Sequence, residues 1–185
     1  MLISNSDKIF VAGHAGMAGG SICRSLIKKN YRNLLKVSKN ELDLTNFEAV
    51  SRWFNLNRPD VVVIAAAKVG GIHANSNYPA SFLLENLKIQ NNVIENSFLY
   101  KVKRLLFLGS SCIYPKFSKQ PISENQLLTS SLESTNQWYA LAKISGLKLC
   151  EAFRRQHGFD SIGLMPTNLY GPGDNYEEGR SHVLP

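Results

Sequence analysis

Tyr139 and Lys143 stand four residues apart in a helix-like stretch, a spacing that puts both side chains on one helix face. A free phenol titrates at about pH 10. A tyrosine that exchanges protons near neutrality therefore needs a cation beside it, and Lys143 is spaced to supply one while also binding a ribose hydroxyl. A second concentration of reactive groups is GSSCIYP at 109–115. There the apolar run Leu105 to Leu108 leads into a glycine, two hydroxyls, a thiol and a turn-making proline. A third is GHAGMAG at 13–19, with Gly13, Gly16 and Gly19 between a predicted strand and a predicted helix. Such a loop lets a pyrophosphate approach the main chain and the free N–H groups at a helix start. About 20 residues further on, NAD-preferring sheets carry an acid for the ribose 2′-hydroxyl. Here the residues are Ser38 and Lys39, a hydroxyl and a cation that suit a 2′-phosphate, so NADP is favoured over NAD.

These groups need a scaffold, and the apolar pattern supplies one. KIFVAG at 8–13, LLKV at 34–37, DVVVIAAA at 60–67, RLLFLG at 104–109 and SIGLMP at 161–166 read as strands. Helices are predicted at Ser21 to Lys29, at Asn46 to Asn55 after a Thr45 cap, from Pro79 to about Tyr100, and from Gln137 to about His157. KVGGIHANSN at 68–77 reads as loop. Strands alternating with helices predict an α/β fold with a doubly wound, Rossmann-like parallel sheet and right-handed crossovers. The continuous run DVVVIAAA suits a central strand covered on both faces. In such sheets ligands bind beyond the carboxyl ends of the strands, so the loops at 13, 38, 66, 109 and 166 are expected to converge on one crevice.

Bulk properties narrow the classes. At 185 residues the chain suffices for one full core, and 44% apolar with 19% charged residues is ordinary for a globular protein. The net charge of +7 comes from scattered lysines and arginines, which argues against a nucleic-acid partner and for a phosphorylated small molecule. Three cysteines without CxxC spacing argue against a disulfide framework and a zinc site, so no metal is expected and the setting reads as reducing. Cys23 and Cys150 lie in apolar helix patterns and read as small buried hydrophobes. No apolar run is long enough for a signal segment or a bilayer span, so no membrane partner and a cytoplasmic location are expected.

The glycine loop, a serine after a later strand and YxxxK, in this order, resemble the extended branch of the short-chain dehydrogenase/reductase superfamily. AAAKVGGI at 65–72, LGSSCIYPK at 108–116, YALAKISGLKLCE at 139–151 and MPTNLYGP at 165–172 narrow the resemblance to the GDP-L-fucose synthase family. That family epimerises GDP-4-keto-6-deoxy-D-mannose at C3 and C5 and reduces the C4 ketone with NADPH. The resemblance implies a GDP-sugar substrate, NADP(H) as cofactor and a homodimer. It gives the cofactor Gly13, His14, Ala15, Gly16, Met17, Ala18 and Gly19, then Lys39, Asn40, Glu41, Leu42, Asp43 and Leu44. To these it adds Leu108, Gly109, Ser110 and Ser111, Lys143, and Pro166, Thr167, Asn168 and Leu169.

Ser110, Tyr139 and Lys143 are implied as the reductase triad, and Cys112 and His182 as the acid and base of epimerisation. The chemistry fits the choice. Protons α to a ketone leave one face and return to another, so two titratable groups must flank the sugar. Histidine titrates near neutrality, and a thiol does so where its surroundings lower its pKa. His14 is expected to brace its turn, His157 to be a favourable cation at a helix end, and His73 is given no role. Ala15 departs from the arginine common in the family and leaves Lys39 more of the 2′-phosphate. The family also continues past the equivalent of Pro185 into a substrate domain, so 1–185 reads as an NADP-binding Rossmann domain with 170–185 the start of a substrate-binding region. Two alternatives stay open: a related NAD-dependent nucleotide-sugar epimerase or dehydratase, and a dinucleotide-binding fragment without turnover.

Overall fold

The computed structural model describes residues 3–174. Five strands, β1 (Ile9–Ala12), β2 (Leu34–Leu35), β3 (Val61–Ile64), β4 (Arg104–Leu108) and β5 (Ser161–Leu164), form one sheet in the order β2-β1-β3-β4-β5. All four pairings are parallel. The helices are α1 (Met17–Lys28), α2 (Phe47–Asn57), α3 (Ile72–Asn77), α4 (Pro79–Leu99) and α5 (Gln137–His157).

Every residue of β1 and β3 is buried, as β-branched and aromatic runs covered on both faces must be. Alternation along the strands sorts the two sides. Ile9, Val11, Val61 and Val63 pack with Cys23 of α1. Phe10, Ala12, Val62, Ile64, Leu105 and Phe107 pack with Val50 and Phe54 of α2, Val93 and Ile94 of α4, and Cys150 of α5. Cys23 and Cys150 are thus the buried small hydrophobes that their helix patterns predict. With α1 on one face and α2, α4 and α5 on the other, the chain leaves β1 in one direction and returns past it in the other. That reversal puts the topological switch point between β1 and β3, where an open α/β sheet forms its ligand crevice.

Several boundaries differ from the sequence reading for local reasons. β2 is an edge strand, and only two of its four predicted residues pair before the chain turns at Ser38. Helix α1 starts at Met17, four residues earlier than its apolar pattern, because Gly16 serves as its cap. The cap of α2 is Asn46, whose Oδ1 accepts from Ala49 N–H at 2.9 Å. Thr45 is instead tied back into the preceding turn, its own N–H and hydroxyl donating to Asp43 Oδ1. Within the predicted loop at 68–77, residues 72–77 form the short helix α3. The ring of His157, at the end of α5, stacks on Phe98 with centroids 4.6 Å apart.

Charges gather at the opposite end of the sheet from the loops of interest. Asp7, 3% exposed, accepts from Lys103 Nζ at 2.6 Å and from Ser4 N–H at 2.9 Å. The Lys103 hydrogen bond, then that of Ser4, holds the Asp7 carboxyl below its ordinary 3.8. A depressed carboxylate contributes stability that is present above its unfolded pKa and lost as pH falls through the folded value. Asp7→Asn should therefore flatten the loss of stability below about pH 4. Urea midpoints between neutral and strongly acid pH would check this, and an unchanged acid slope would rule it out. Among the described residues no helix is long and apolar enough to cross a membrane.

Candidate active site

The crevice is lined first by the turn between β1 and α1. Gly13 has φ +86°, and a Cβ there would lie 2.6 Å from Ala66 N and 2.7 Å from Ala66 Cα, at the end of β3. Only glycine lets the two strand-end loops meet this closely. A Cβ on Gly19 would fall 2.1 Å from Gly13 O, so the first turn of α1 lies directly against the turn that precedes it. Gly16 caps α1 with no side-chain acceptor, and a Cβ there would meet only Gly13 O at 3.5 Å. The helix start is therefore uncapped by side chains, the arrangement that leaves its N–H groups to a pyrophosphate. His14 N–H donates to Val11 O at 3.1 Å, which ties the turn to β1.

The turn after β2 lies beside this loop. Ser38 donates both its N–H, at 3.0 Å, and its hydroxyl, at 2.6 Å, to Glu41 Oε2. These hydrogen bonds hold the Glu41 carboxyl below its usual range, with a smaller contribution from the charge of His14. Hydrogen bonds from Thr45 do the same for Asp43. The Leu42 side chain is 4% exposed and belongs to the core with Phe10 and Phe54. It anchors the turn, while Lys39, Asn40, Glu41 and Asp43 face outward.

The second half of the site follows β4. Leu108 ends the strand, Gly109 N–H donates to Leu164 O at 2.7 Å, and Ser111 N–H donates to Pro166 O at 3.0 Å. The stretch 108–111 is thereby fixed to the loop beyond β5, where Thr167, Asn168 and Leu169 are exposed. The chain then tightens into a 3₁₀ turn, Ser111–Ile113, with Ser110 Oγ accepting from Cys112 N–H at 3.4 Å. One serine therefore caps the turn that presents the thiol.

Helix α5 brings Tyr139 and Lys143 to the same place. Lys143 is 3% exposed, and its Nζ donates to Leu108 O at 2.7 Å. The ammonium lies 4.9 Å from the Phe107 ring centre and 5.7 Å from that of Tyr139. Burial lowers the Lys143 pKa to about 8, against the pull of a Cys112 thiolate. The charge of Cys112 acts on both Tyr139 and Lys143, and Ser110 hydrogen-bonds to it, so the four groups lie close together beyond β4. His182 lies outside the described residues.

The electrostatics correct one expectation. The sequence suggests that Lys143 draws the Tyr139 phenol down toward neutrality. In the structure burial dominates, with the field of a Cys112 thiolate adding to it, and pushes the phenol well above its ordinary value. Burial likewise raises the Cys112 thiol, which a Ser110 hydrogen bond and the Lys143 charge only partly offset. Burial thus favours the protonated form of both groups, the form that gives a proton rather than takes one.

Two further residues carry no recognisable motif. Asn86 and Gln90 lie one turn apart on the buried face of α4, each 2% exposed. Asn86 Oδ1 accepts from Lys68 N–H at 2.8 Å and its Nδ2 donates to Lys68 O at 3.0 Å. Gln90 Nε2 donates to Ala142 O at 2.6 Å, next to Lys143. Their sequence signal is two amides at i and i+4 within an otherwise apolar helix face. Lys68, beside Glu85, borders a cavity of about 340 Å³ lined also by Gly70, Gly71, Tyr78 and Phe82.

A parallel sheet with its switch point at a glycine-capped helix, and a Ser, Cys, Tyr and Lys gathered past the fourth strand, define a dinucleotide-binding enzyme class. Residues 9–185 match the NAD dependent epimerase/dehydratase family, and the chain belongs to it. Within that family it is 58% identical over 180 residues to GDP-L-fucose synthase 1 of Arabidopsis thaliana, covering 97% of this chain and 56% of the plant protein. The fold matches a GDP-D-glycero-L-gluco-heptose synthase of Campylobacter jejuni, determined in the presence of NADPH, with TM-score 0.94 and 40% identity over 98% of this chain and 53% of that one. It also matches a GDP-L-fucose synthetase of Naegleria fowleri bound to NADP, with TM-score 0.89 and 28% identity over 99% of this chain and 60% of that one. The chain thus spans little more than half the length of these relatives.

Proposed function

We propose that this chain is the cofactor-binding part of a GDP-L-fucose synthase, which epimerises GDP-4-keto-6-deoxy-D-mannose at C3 and C5 and then reduces C4. The observation that carries this reading is the placement beyond β4 of the Cys112 thiol, on a turn capped by Ser110, together with Tyr139 and the buried Lys143. A plain reductase needs one proton donor at the carbonyl oxygen, whereas an enzyme that also inverts α carbons needs another at carbon. Ser110 donates a hydrogen bond to the C4 oxygen, and Tyr139 delivers its proton there. Lys143, held on Leu108 O, stabilises the phenolate that remains. Cys112 returns a proton to the α carbon, and His182 removes one from the opposite face. NADPH, when bound, supplies the hydride, with its pyrophosphate on the glycine loop and its 2′-phosphate at Ser38 and Lys39.

The NADP-bound relative supports the cofactor, and the plant relative supports the substrate. We assign 1–185 to the NADP-binding domain and 170–185 to the start of the substrate-binding region, the enzyme to the cytoplasm, and its assembly to a homodimer through α4 and α5. Leu84 and Leu99 of α4, each 53% exposed, are the apolar surface in favour of that pairing.

The test supplies GDP-4-keto-6-deoxy-D-mannose and NADPH in deuterated water to the 185-residue chain, and to the same chain extended by the C-terminal part of the plant relative. Consumption of NADPH with deuterium at C3 and C5 is the expected result. NADPH binding with no turnover in either form would make the chain a dinucleotide-binding module instead. In the active form Cys112→Ser should cut deuterium incorporation by about a hundredfold while NADPH affinity changes much less. Equal losses in both would remove Cys112 from the proton transfers.

A further inference from the structure

We propose that Glu41 sets how strongly the chain prefers a 2′-phosphorylated dinucleotide, by acting as an internal anion that competes with the 2′-phosphate for Ser38. The proposal rests on the cofactor reading above and names the specificity determinant within it.

The geometry is that of an anion cradle already in use. Both donors of Ser38 converge on one oxygen, Glu41 Oε2, at 3.0 and 2.6 Å. Glu41 N–H and Leu42 N–H donate back to Ser38 O at 3.1 and 3.0 Å. The buried Leu42 side chain then pins the turn to the core, so Ser38 presents its two donors in a fixed direction. A phosphate oxygen would accept the same pair of hydrogen bonds that the carboxylate oxygen now accepts.

The location fits. The turn follows β2, next to β1 and its glycine loop, and His14 of that loop is near enough for its charge to act on Glu41. The other charges around the turn are Lys39, Asp43 and Lys88, with both lysines acting on Asp43. A 2′-phosphate arriving there gains Lys39 but must displace the Glu41 carboxylate and then remain near it. A bare 2′-hydroxyl meets no such opposition and can donate to the same carboxylate. Glu41 thus narrows the advantage that Ser38 and Lys39 give to NADPH.

The experiment titrates the 185-residue chain with NADPH and with NADH, following nicotinamide fluorescence at low and high salt. Glu41→Gln keeps a side-chain oxygen that can accept from the Ser38 N–H and hydroxyl, and removes the charge. The NADPH-to-NADH affinity ratio should rise about fivefold at low salt, the size expected for one charge at a solvated surface. The gain should shrink by about 0.5 M salt, where such charges are screened. Lys39→Gln should move the ratio the other way. A ratio that Glu41→Gln leaves unmoved or lowers, or a gain insensitive to salt, would overturn the proposal. If the unaltered chain bound neither dinucleotide, the cofactor reading would fall, and the proposal with it.

Discussion

Tyr139→Phe should slow C4 reduction by a factor between about a hundred and ten thousand, the range that a positioned proton donor contributes, while proton exchange at C3 and C5 continues. The phenylalanine ring fills the same space, and Lys143 keeps its hydrogen bond to Leu108 O, so the pocket loses a hydroxyl and little else. Because burial raises the phenol pKa and favours its protonated form, the variant lacks a group that the native site holds ready to donate. Exchange should persist because the donor proposed for carbon is the Cys112 thiol, whose 3₁₀ turn is held by Ser110 rather than by Tyr139. The check is a paired measurement on one sample: deuterium at C3 and C5 by NMR, and NADPH oxidation by absorbance. If exchange and reduction fell together, the division of labour between phenol and thiol would be wrong.

Gly13→Ala should abolish dinucleotide binding, with affinity down by at least about a hundredfold, and destabilise the fold by about 3 kcal/mol. Two independent costs coincide. The φ of +86° is unfavourable for any residue with a Cβ, and that Cβ would also press on the main chain of Ala66 at 2.6 Å. Neither neighbour is a flexible side chain that can swing aside, so the turn must move away from β3 and carry the start of α1 with it. Gly16→Ala is the comparison, because its Cβ has ordinary clearance at 3.5 Å from Gly13 O, and its stability loss should be much smaller. Urea unfolding and NADPH titration of the two variants decide the matter. Equal destabilisation would mean that the close approach of the two loops is not what holds the turn.

The strand runs were legible because IFVA and VVVI carry enough β-branched and aromatic residues to be buried on both sides, and no helix period competes with them. The span of α5 could be read from Gln137 to His157 for the opposite reason: a long periodic pattern with a glycine just past its end. Thr45 and Asn46 show what cannot be read. Either could cap α2, and it is Asn46 that accepts from Ala49 N–H while Thr45 turns back to Asp43, a choice that residue type alone does not make. In the site, the company of Ser110, Cys112, Tyr139 and Lys143 was legible only through the family resemblance that their order and flanking motifs carry. The sign of the Tyr139 shift was not, because it depends on how much water the fold removes, a quantity that spacing does not encode. Nor could Leu42 be told from its neighbours, since one inward-facing residue in a polar turn leaves no period to detect.

The two buried amides on α4 have a consequence for precision. Asn86 fixes the loop after β3 and Gln90 fixes α5 beside Lys143, yet both hang from one rigid helix. The offset between these two attachments is therefore set by four residues of helix, about 6 Å, and not by the accumulated slack of the loops that join the elements. A machinist would call α4 the datum edge: parts that must meet are each measured from it, so their errors do not add.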